Sequence, residues 1–180
     1  MHGLVSLLDS NYYAIVEGLW HRLEKECGLS GVKVTPYPHF SWQIAQDYPE
    51  PDTEMAVKAI AGQTKPFKVF TGGLGIFSGI QPVVFISIAR SAELNQLHEQ
   101  LWQQFKTSAK GLSAYYNPQR WMPHITLVFG EEISNTLQCG LKMLASQSFE
   151  WEIEVNNVSF VSQSANQIGT LSYRHDFLHE

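Results

Sequence analysis

Two short stretches of the sequence carry a histidine and a hydroxyl side chain in the same order. Residues 38–42 read PHFSW and residues 123–127 read PHITL, so proline, histidine, an apolar residue, a hydroxyl residue and another apolar residue recur. Imidazole exchanges a proton near neutral pH, and hydroxyl groups donate hydrogen bonds to anionic oxygens. Two such pairs in one site could donate and accept protons beside an anionic group.

Each stretch is typical of a strand with one polar and one apolar face. Because successive side chains of a strand alternate, His39 and Ser41 share one face of the first strand, and His124 and Thr126 share one face of the second. The apolar residues between them would pack against the core. The proline before each histidine lacks a backbone N–H and fits the first position of a strand.

The order of predicted elements repeats along the chain. Residues 1–80 and 81–163 each predict a strand, a helix, a motif strand, a second helix and another strand, with a period of about 83 residues, and a C-terminal strand follows at 168–176. The first helix is predicted from Asp9 or Ser10 to Cys27 and ends at Gly28. Its predicted buried stripe shows i, i+4 spacing and comprises Ile15, Leu19, Leu23 and Cys27.

The connections between strands favour antiparallel pairing. The predicted strands Phe67–Phe77 and Val83–Ala89 are joined too tightly for a helical crossover, and no glycine-rich phosphate loop follows the first strand. The glycines of TGGLG predict a bulge in the first of these strands. The sequence therefore predicts an α+β fold with two mainly antiparallel sheets, rather than a parallel doubly wound sheet.

Composition narrows the classes of partner and compartment. The formal net charge is −5, so no basic face for long nucleic acid is expected, although a small phosphate ligand is compatible. No leader pattern or long apolar run is present, which predicts a soluble cytoplasmic protein without a membrane partner. Cys27 and Cys139 are far apart and form no C-x-x-C pair, and we expect both to be buried or half-buried thiols.

The two H-x-[ST]-x motifs, HFSW and HITL, lie one in each half of the repeat. With them the chain resembles the 2H phosphoesterase superfamily, which includes cyclic phosphodiesterases and bacterial proteins described as 2′-5′ RNA ligases. The resemblance covers nearly the full length and implies one two-lobed domain, residues 1–180, with outer helices and a central groove. It implies that His39 and His124 are catalytic and that Ser41 and Thr126 hold the phosphate. Trp42 departs from the usual aliphatic residue, but it lies on the packing face.

The implied reaction is opening of a cyclic phosphate on a nucleotide or short RNA end, or cleavage of a 2′-5′ linkage, without metal or cofactor. Two alternatives remain: a module that binds a nucleotide without turnover, and 2′-5′ RNA ligation as the reverse reaction. A metal site at His39 and His124 is a further alternative, but two histidines without a neighbouring carboxylate or thiolate are too few ligands. The two motifs are nearly interchangeable, so the sequence does not assign the acid and the base.

Four further residues are candidate substrate contacts. Arg120, four residues before His124, either helps to bind the phosphate or is a solvated loop residue. Tyr37 and Trp121 each precede a motif and could stack on a base. Strand alternation also places Gln43 on the face of His39.

Overall fold

The computed structural model describes residues 1–30, 32, 35–129, 135–164 and 167–178. Within these ranges it contains eight strands and four α-helices. The strands are β1 (His2–Leu7), β2 (His39–Ala45), β3 (Phe67–Phe77), β4 (Val83–Ile88), β5 (His124–Val128), β6 (Glu152–Val155), β7 (Asn157–Ser162) and β8 (Thr170–Asp176). The helices are α1 (Ser10–Cys27), α2 (Asp52–Ala61), α3 (Ala92–Phe105) and α4 (Asn135–Ala145).

The eight strands form one continuous order, β6-β3-β4-β5-β2-β1-β7-β8, and the paired strands are antiparallel. This confirms the predicted α+β class with antiparallel strands. The two four-stranded groups meet where β2 and β5 pair at Phe40 and Ile125 alone. The motif strands therefore touch at one point and separate beyond it.

Helix α1 shows how local signals set the elements that carry the site. The Asp9 carboxylate accepts hydrogen bonds from two backbone N–H groups of the first turn, and Gly28 ends the helix in a left-handed conformation with φ of 73°. The buried stripe begins at Val16 and continues through Leu19, whereas Ile15 is 39% exposed. The prediction of Ile15 as a buried residue was wrong. The buried residues Val16, Leu19, Leu23 and Cys27 are spaced 3, 4 and 4 residues apart, which is closer to the helical period of 3.6 than a constant spacing of four.

The two cysteines form a disulfide between α1 and α4, so the prediction of free thiols was wrong. Cys27 and Cys139 lie 112 residues apart in sequence, and their Cα atoms are 5.6 Å apart. Helix α4 packs closely on α1 and on the residues that follow it, since a Cβ added at Gly140 would lie 3.2 Å from the Leu23 side chain of α1 and 2.4 Å from the Leu29 side chain. The pairing depends on this helix packing, which the spacing of the cysteines in the sequence does not indicate.

The remaining boundaries differ modestly from the predicted ones. Helix α3 was predicted to reach Lys110 but ends at Phe105. Lys110 instead exchanges backbone hydrogen bonds with Asp47, just beyond β2, and its carbonyl also accepts one from the Gln46 N–H. The predicted start of α4 at Ser134 lies outside the described residues. No helix in the described part of the chain is long and apolar enough to cross a membrane.

Candidate active site

A groove of about 790 Å³ opens where β2 and β5 separate, and all four motif side chains line it. His39 and Ser41 come from β2, and His124 and Thr126 come from β5. All four are half-buried, while the residues between them on each strand are buried. The alternation predicted from the sequence thus places both imidazoles and both hydroxyls in one cavity.

Both imidazoles are held in the same way. The Nδ1–H group of His39 donates to the Tyr37 carbonyl at 2.5 Å, and that of His124 donates to the Met122 carbonyl at 2.7 Å. Because a carbonyl only accepts hydrogen bonds, Nδ1 must carry the proton in each neutral ring. The Nε2 atom of each ring is therefore the atom that can accept or deliver a proton in the groove.

Burial favours the neutral form of both rings. It lowers the pKa of His39, an effect partly opposed by the hydrogen bond to Tyr37 and reinforced by the charge of His124. It also lowers the pKa of His124, again partly opposed by the hydrogen bond to Met122. The mutual repulsion of the protonated rings disfavours two protons at once, so the pair holds one protonated and one neutral imidazole in the pH range between its two apparent pKa values.

The surroundings of the second histidine are more aromatic. The His124 ring packs against Phe77 with centroids 5.0 Å apart and against Phe85 at 5.1 Å, and the two phenylalanines stack on each other at 4.2 Å. Gly75 on β3 allows Phe85 to sit there, because a Cβ at that glycine would lie 2.4 Å from the Phe85 ring. These contacts restrict the His124 ring to one orientation.

Two predicted contacts do not line the groove. Gln43 is fully buried, and its side-chain oxygen accepts a hydrogen bond from Tyr48 at 3.3 Å. The register with β1 shifts between Ser41 and Gln43, and this bulge reverses the alternation so that Ile44 lines the groove instead. Tyr37 is half-buried and packs in a small cluster with Val5, Leu7, Val161 and Leu171.

Trp121 lies at the base of the groove rather than on its surface. It is 2% exposed, and its ring stacks on His98 with centroids 3.7 Å apart. Its indole N–H donates to the Ser41 carbonyl at 3.0 Å. A buried ring with both a stacking partner and a hydrogen-bond partner does not offer a free face to a base, contrary to the prediction for Trp121.

The predicted cation and an unpredicted aromatic residue lie together at the groove. Arg120 is exposed and places its guanidinium group 5.5 Å from the centre of the Tyr115 ring, and both residues line the groove. Tyr115 is 74% exposed, so one face is open to a ligand. Sequence reasoning favoured Tyr37 and Trp121 over Tyr115. The signal that could have identified it is the aromatic run AYYNPQRW directly before the second motif.

The groove favours anions. None of its described lining residues is aspartate or glutamate, although the chain has 17 acidic residues. Arg120 supplies positive charge there, and His39 and His124 add to it when they are protonated. Elsewhere in the described part of the chain, no three His, Cys, Asp or Glu side chains group closely enough to hold a metal ion.

Comparisons with known proteins agree with this fold. The family model described as "2′-5′ RNA ligase superfamily" matches residues 14–167. The chain therefore belongs to this superfamily, as the two motifs predicted. A Bacillus cytotoxicus protein named "Putative phosphoesterase" is 24% identical over 134 residues, which are 72% of this chain and 73% of that protein.

Two solved structures share the fold. The protein TT0787 of Thermus thermophilus superposes with a TM-score of 0.66 at 17% identity, covering 98% of both chains. Escherichia coli LigT, complexed with 3′-AMP, superposes with a TM-score of 0.64 at 18% identity, covering 99% of this chain and 100% of LigT. At this level of identity the likeness supports the shared architecture alone.

Proposed function

We propose that this protein is a metal-independent phosphodiesterase that opens cyclic phosphates of nucleotides or short RNA ends, or cleaves 2′-5′ linkages. The observation that carries the proposal is the pair of imidazoles in one groove, each with Nδ1 fixed by a backbone carbonyl. Membership of the 2′-5′ RNA ligase superfamily and the binding of 3′-AMP by LigT support a nucleotide phosphate as the substrate.

The proposed reaction needs one neutral and one protonated imidazole. The neutral Nε2 removes a proton from water, and the oxygen of that water attacks phosphorus in line with the departing ribose oxygen. The P–O bond to the ribose breaks, and the protonated Nε2 delivers its proton to the departing oxygen, which leaves a hydroxyl group and a phosphate monoester. The two rings end with their protonation states exchanged, and proton exchange with solvent restores the starting state.

The other groove residues support this chemistry in distinct ways. Ser41 and Thr126 donate hydrogen bonds to the two non-bridging oxygens, whose negative charge must be stabilised in the transition state. Tyr115 stacks on the base, and Arg120 both supports that ring and attracts the phosphate. The absence of carboxylates among the described lining residues keeps the groove suited to an anionic substrate.

Phosphorus NMR tests the proposal. The four 2′,3′-cyclic nucleotides would be incubated with the protein in EDTA, beside His39→Gln and His124→Gln variants. We expect conversion to a single monophosphate isomer by the wild type, and a loss of about 10²- to 10⁴-fold in each variant. The position of the product resonance also reports which ester bond breaks.

Two controls complete this experiment. His21→Gln, at an exposed helical histidine outside the groove, is expected to retain wild-type turnover. Tyr115→Ala is expected to raise KM about tenfold with little change in kcat, because it removes only a stacking surface. If folded wild-type protein converted neither cyclic nucleotides nor 2′-5′ linked dinucleotides, the proposal would be wrong.

A further inference from the structure

Two indole groups bind the backbone at the point where the motif strands separate. The Nε1–H group of Trp121 donates to the Ser41 carbonyl at 3.0 Å, and that of Trp20 donates to the Thr126 carbonyl at 3.1 Å. Ser41 and Thr126 directly follow Phe40 and Ile125, the pair at which β2 and β5 meet. Both hydroxyl residues of the site therefore have their carbonyls bound by tryptophan.

The separation of the strands explains why donors are needed. In a continuous sheet the carbonyls of neighbouring strands accept ladder hydrogen bonds, and a buried carbonyl without a partner is unfavourable. Beyond the pair formed by Phe40 and Ile125 the two strands part to form the groove, and side-chain N–H groups take the place of the missing ladder. The indoles thus satisfy the backbone that the opening of the groove exposes.

Each indole comes from the opposite half of the repeat. Trp20 lies on α1 of the first half and binds Thr126 in the second, whereas Trp121 precedes β5 in the second half and binds Ser41 in the first. Ser41 and Thr126 occupy equivalent places in the two motifs, but the two tryptophans do not. The two halves therefore have the same indole-to-carbonyl contact, made by tryptophans at non-equivalent positions.

Both rings are held firmly. Trp121 stacks on His98 with an interplanar angle of 7°, and the guanidinium group of Arg90 lies 5.7 Å from its ring centre. His98 is itself fixed to β2, since its Nε2 bonds to the Trp42 carbonyl at 3.0 Å. Trp20 is half-buried and packs against the main hydrophobic core.

We infer that Trp121 and Trp20 are paired positioning residues that set the hydroxyl groups of Ser41 and Thr126 against the two non-bridging oxygens of the phosphate. This inference rests on the proposed function. A serine or threonine oxygen is one bond from Cβ, so a shift of the backbone carries the hydroxyl with it. Because the two hydroxyls approach from opposite strands, each tryptophan controls the contact to a different oxygen.

Stereochemistry provides a readout that a purely structural role would not change. The Rp and Sp isomers of a 2′,3′-cyclic phosphorothioate place sulfur at one or the other non-bridging position. We expect Trp121→Phe and Trp20→Phe each to lower kcat by about tenfold. The Rp/Sp ratio of kcat/KM should shift in opposite directions in the two variants. A shift in the same direction, or no shift in either, would overturn the inference.

Matched controls separate a positioning effect from a general effect of substituting a tryptophan. Trp102→Phe, at a half-buried tryptophan of α3 outside the groove, should leave the Rp/Sp ratio unchanged. Replacement of Trp121 by 3-benzothienylalanine keeps the ring shape but removes the N–H group, and it should reproduce the effect of Trp121→Phe. A wild-type ratio in that protein would show that the hydrogen bond does not position Ser41.

A binding measurement distinguishes failure of the inference from failure of the proposed function. If the wild type turned over no substrate, the proposed function would be wrong, and inorganic phosphate would serve as the probe. Trp121→Phe and Trp20→Phe should then bind phosphate at least threefold more weakly than the wild type and Trp102→Phe. Equal affinities, or no phosphate binding by the wild type, would overturn the inference.

Discussion

Each motif histidine carries its Nδ1 proton because the carbonyl two residues earlier accepts it. Each contact is local, since it joins residues two apart at the start of a motif strand. The two halves of the repeat therefore fix the same tautomer independently. The surroundings then differ: His124 packs against Phe77 and Phe85, whereas the pKa of His39 is affected by the charge of His124. This difference in environment gives the two rings distinct properties within a symmetrical arrangement.

The lowered pKa values of His39 and His124 predict the pH dependence of catalysis. The proposed reaction requires a pair with one proton, and such a pair is most populated between its two apparent pKa values. Burial places both below the ordinary value of 6.5. We therefore expect kcat/KM for a cyclic nucleotide to be bell-shaped, with its maximum below about pH 6.5. A maximum above about pH 7.5 would contradict the proposed pairing of the rings.

His98 predicts a separate pH dependence of stability. Burial lowers its pKa to about 4, so between pH 6.5 and pH 4 the unfolded chain binds this proton and the folded protein does not. The free energy of unfolding should therefore fall by about 3 kcal/mol from this residue as the pH drops through that window. Urea unfolding at about pH 7 and pH 4 measures this change.

The matched variants isolate the contribution of His98. His98→Gln does not titrate and retains a donor for the Trp42 carbonyl, so it should lack that part of the pH dependence. His21→Gln, at an exposed position, should retain the wild-type dependence. Identical pH dependence in His98→Gln and the wild type would show that burial does not hold the ring neutral.

At the scale of elements, local sequence signals predicted most boundaries. They failed where pairing or packing with another element sets the conformation. The caps at Asp9 and Ser91 mark their helices in sequence, and the glycines of TGGLG mark the observed register shift in β3. The burial of the Gln43 side chain was not predictable from the sequence, because it follows from a bulge in the pairing of β2 with β1. The burial of Trp121 was likewise not predictable, since its stacking partner His98 lies on a different element, α3.

Gly75 on β3 tests whether the aromatic support of His124 matters. A Cβ at this position would lie 2.4 Å from the Phe85 ring, and that ring is 3% exposed and stacked on Phe77, so it has little room to move. We expect Gly75→Ala to lower the free energy of unfolding by about 1–3 kcal/mol and to reduce kcat. Gly79→Ala is the control, because a Cβ there meets no atom within 4 Å. Equal stability and kcat in the two variants would show that Phe85 yields without disturbing His124.

The disulfide tests how α1 and α4 are held together. The closed loop spans 112 residues, and its removal should lower the free energy of unfolding by about 2–5 kcal/mol. Cys139→Ser is the suitable variant because Cys139 is exposed, and neither cysteine lines the groove, so kcat should change less than about twofold. A reductant should lower the stability of the wild type to that of Cys139→Ser without affecting the variant. Equal stability of the oxidised wild type and the variant would contradict a stabilising bridge.

At the scale of the whole molecule, the pairing of the strands follows the sequence repeat. Phe40 pairs with Ile125 across β2 and β5, 85 residues apart, which is the separation of the two histidines. The antiparallel pairing of β3 with β6 is centred on the same separation, since Phe67 and Val155 are 88 residues apart, Phe70 and Glu152 are 82 apart, and the mean is 85. Both of these pairings are therefore consistent with one approximate two-fold axis.

The sequence predicted the repeat and the motif strands because both depend on local pattern. It did not predict that the two four-stranded groups would join through the single pair of Phe40 and Ile125, because that contact connects residues far apart in the chain. This joint brings His39 and His124 into one groove from equivalent places. The paired acid–base chemistry proposed for the protein is a consequence of that symmetry.

The most direct test of the proposed paired-histidine chemistry asks whether one imidazole acts as an acid and the other as a base. His39→Gln and His124→Gln would each be assayed on a 2′,3′-cyclic nucleotide and on a cyclic phosphodiester whose leaving oxygen is a nitrophenolate. Nitrophenolate departs without a proton, so the variant that lacks only the acid should regain most of its rate on the second substrate. Recovery in one variant and not in the other is the predicted result. Equal recovery in both variants, or no recovery in either, would contradict the assignment of one acid and one base to His39 and His124.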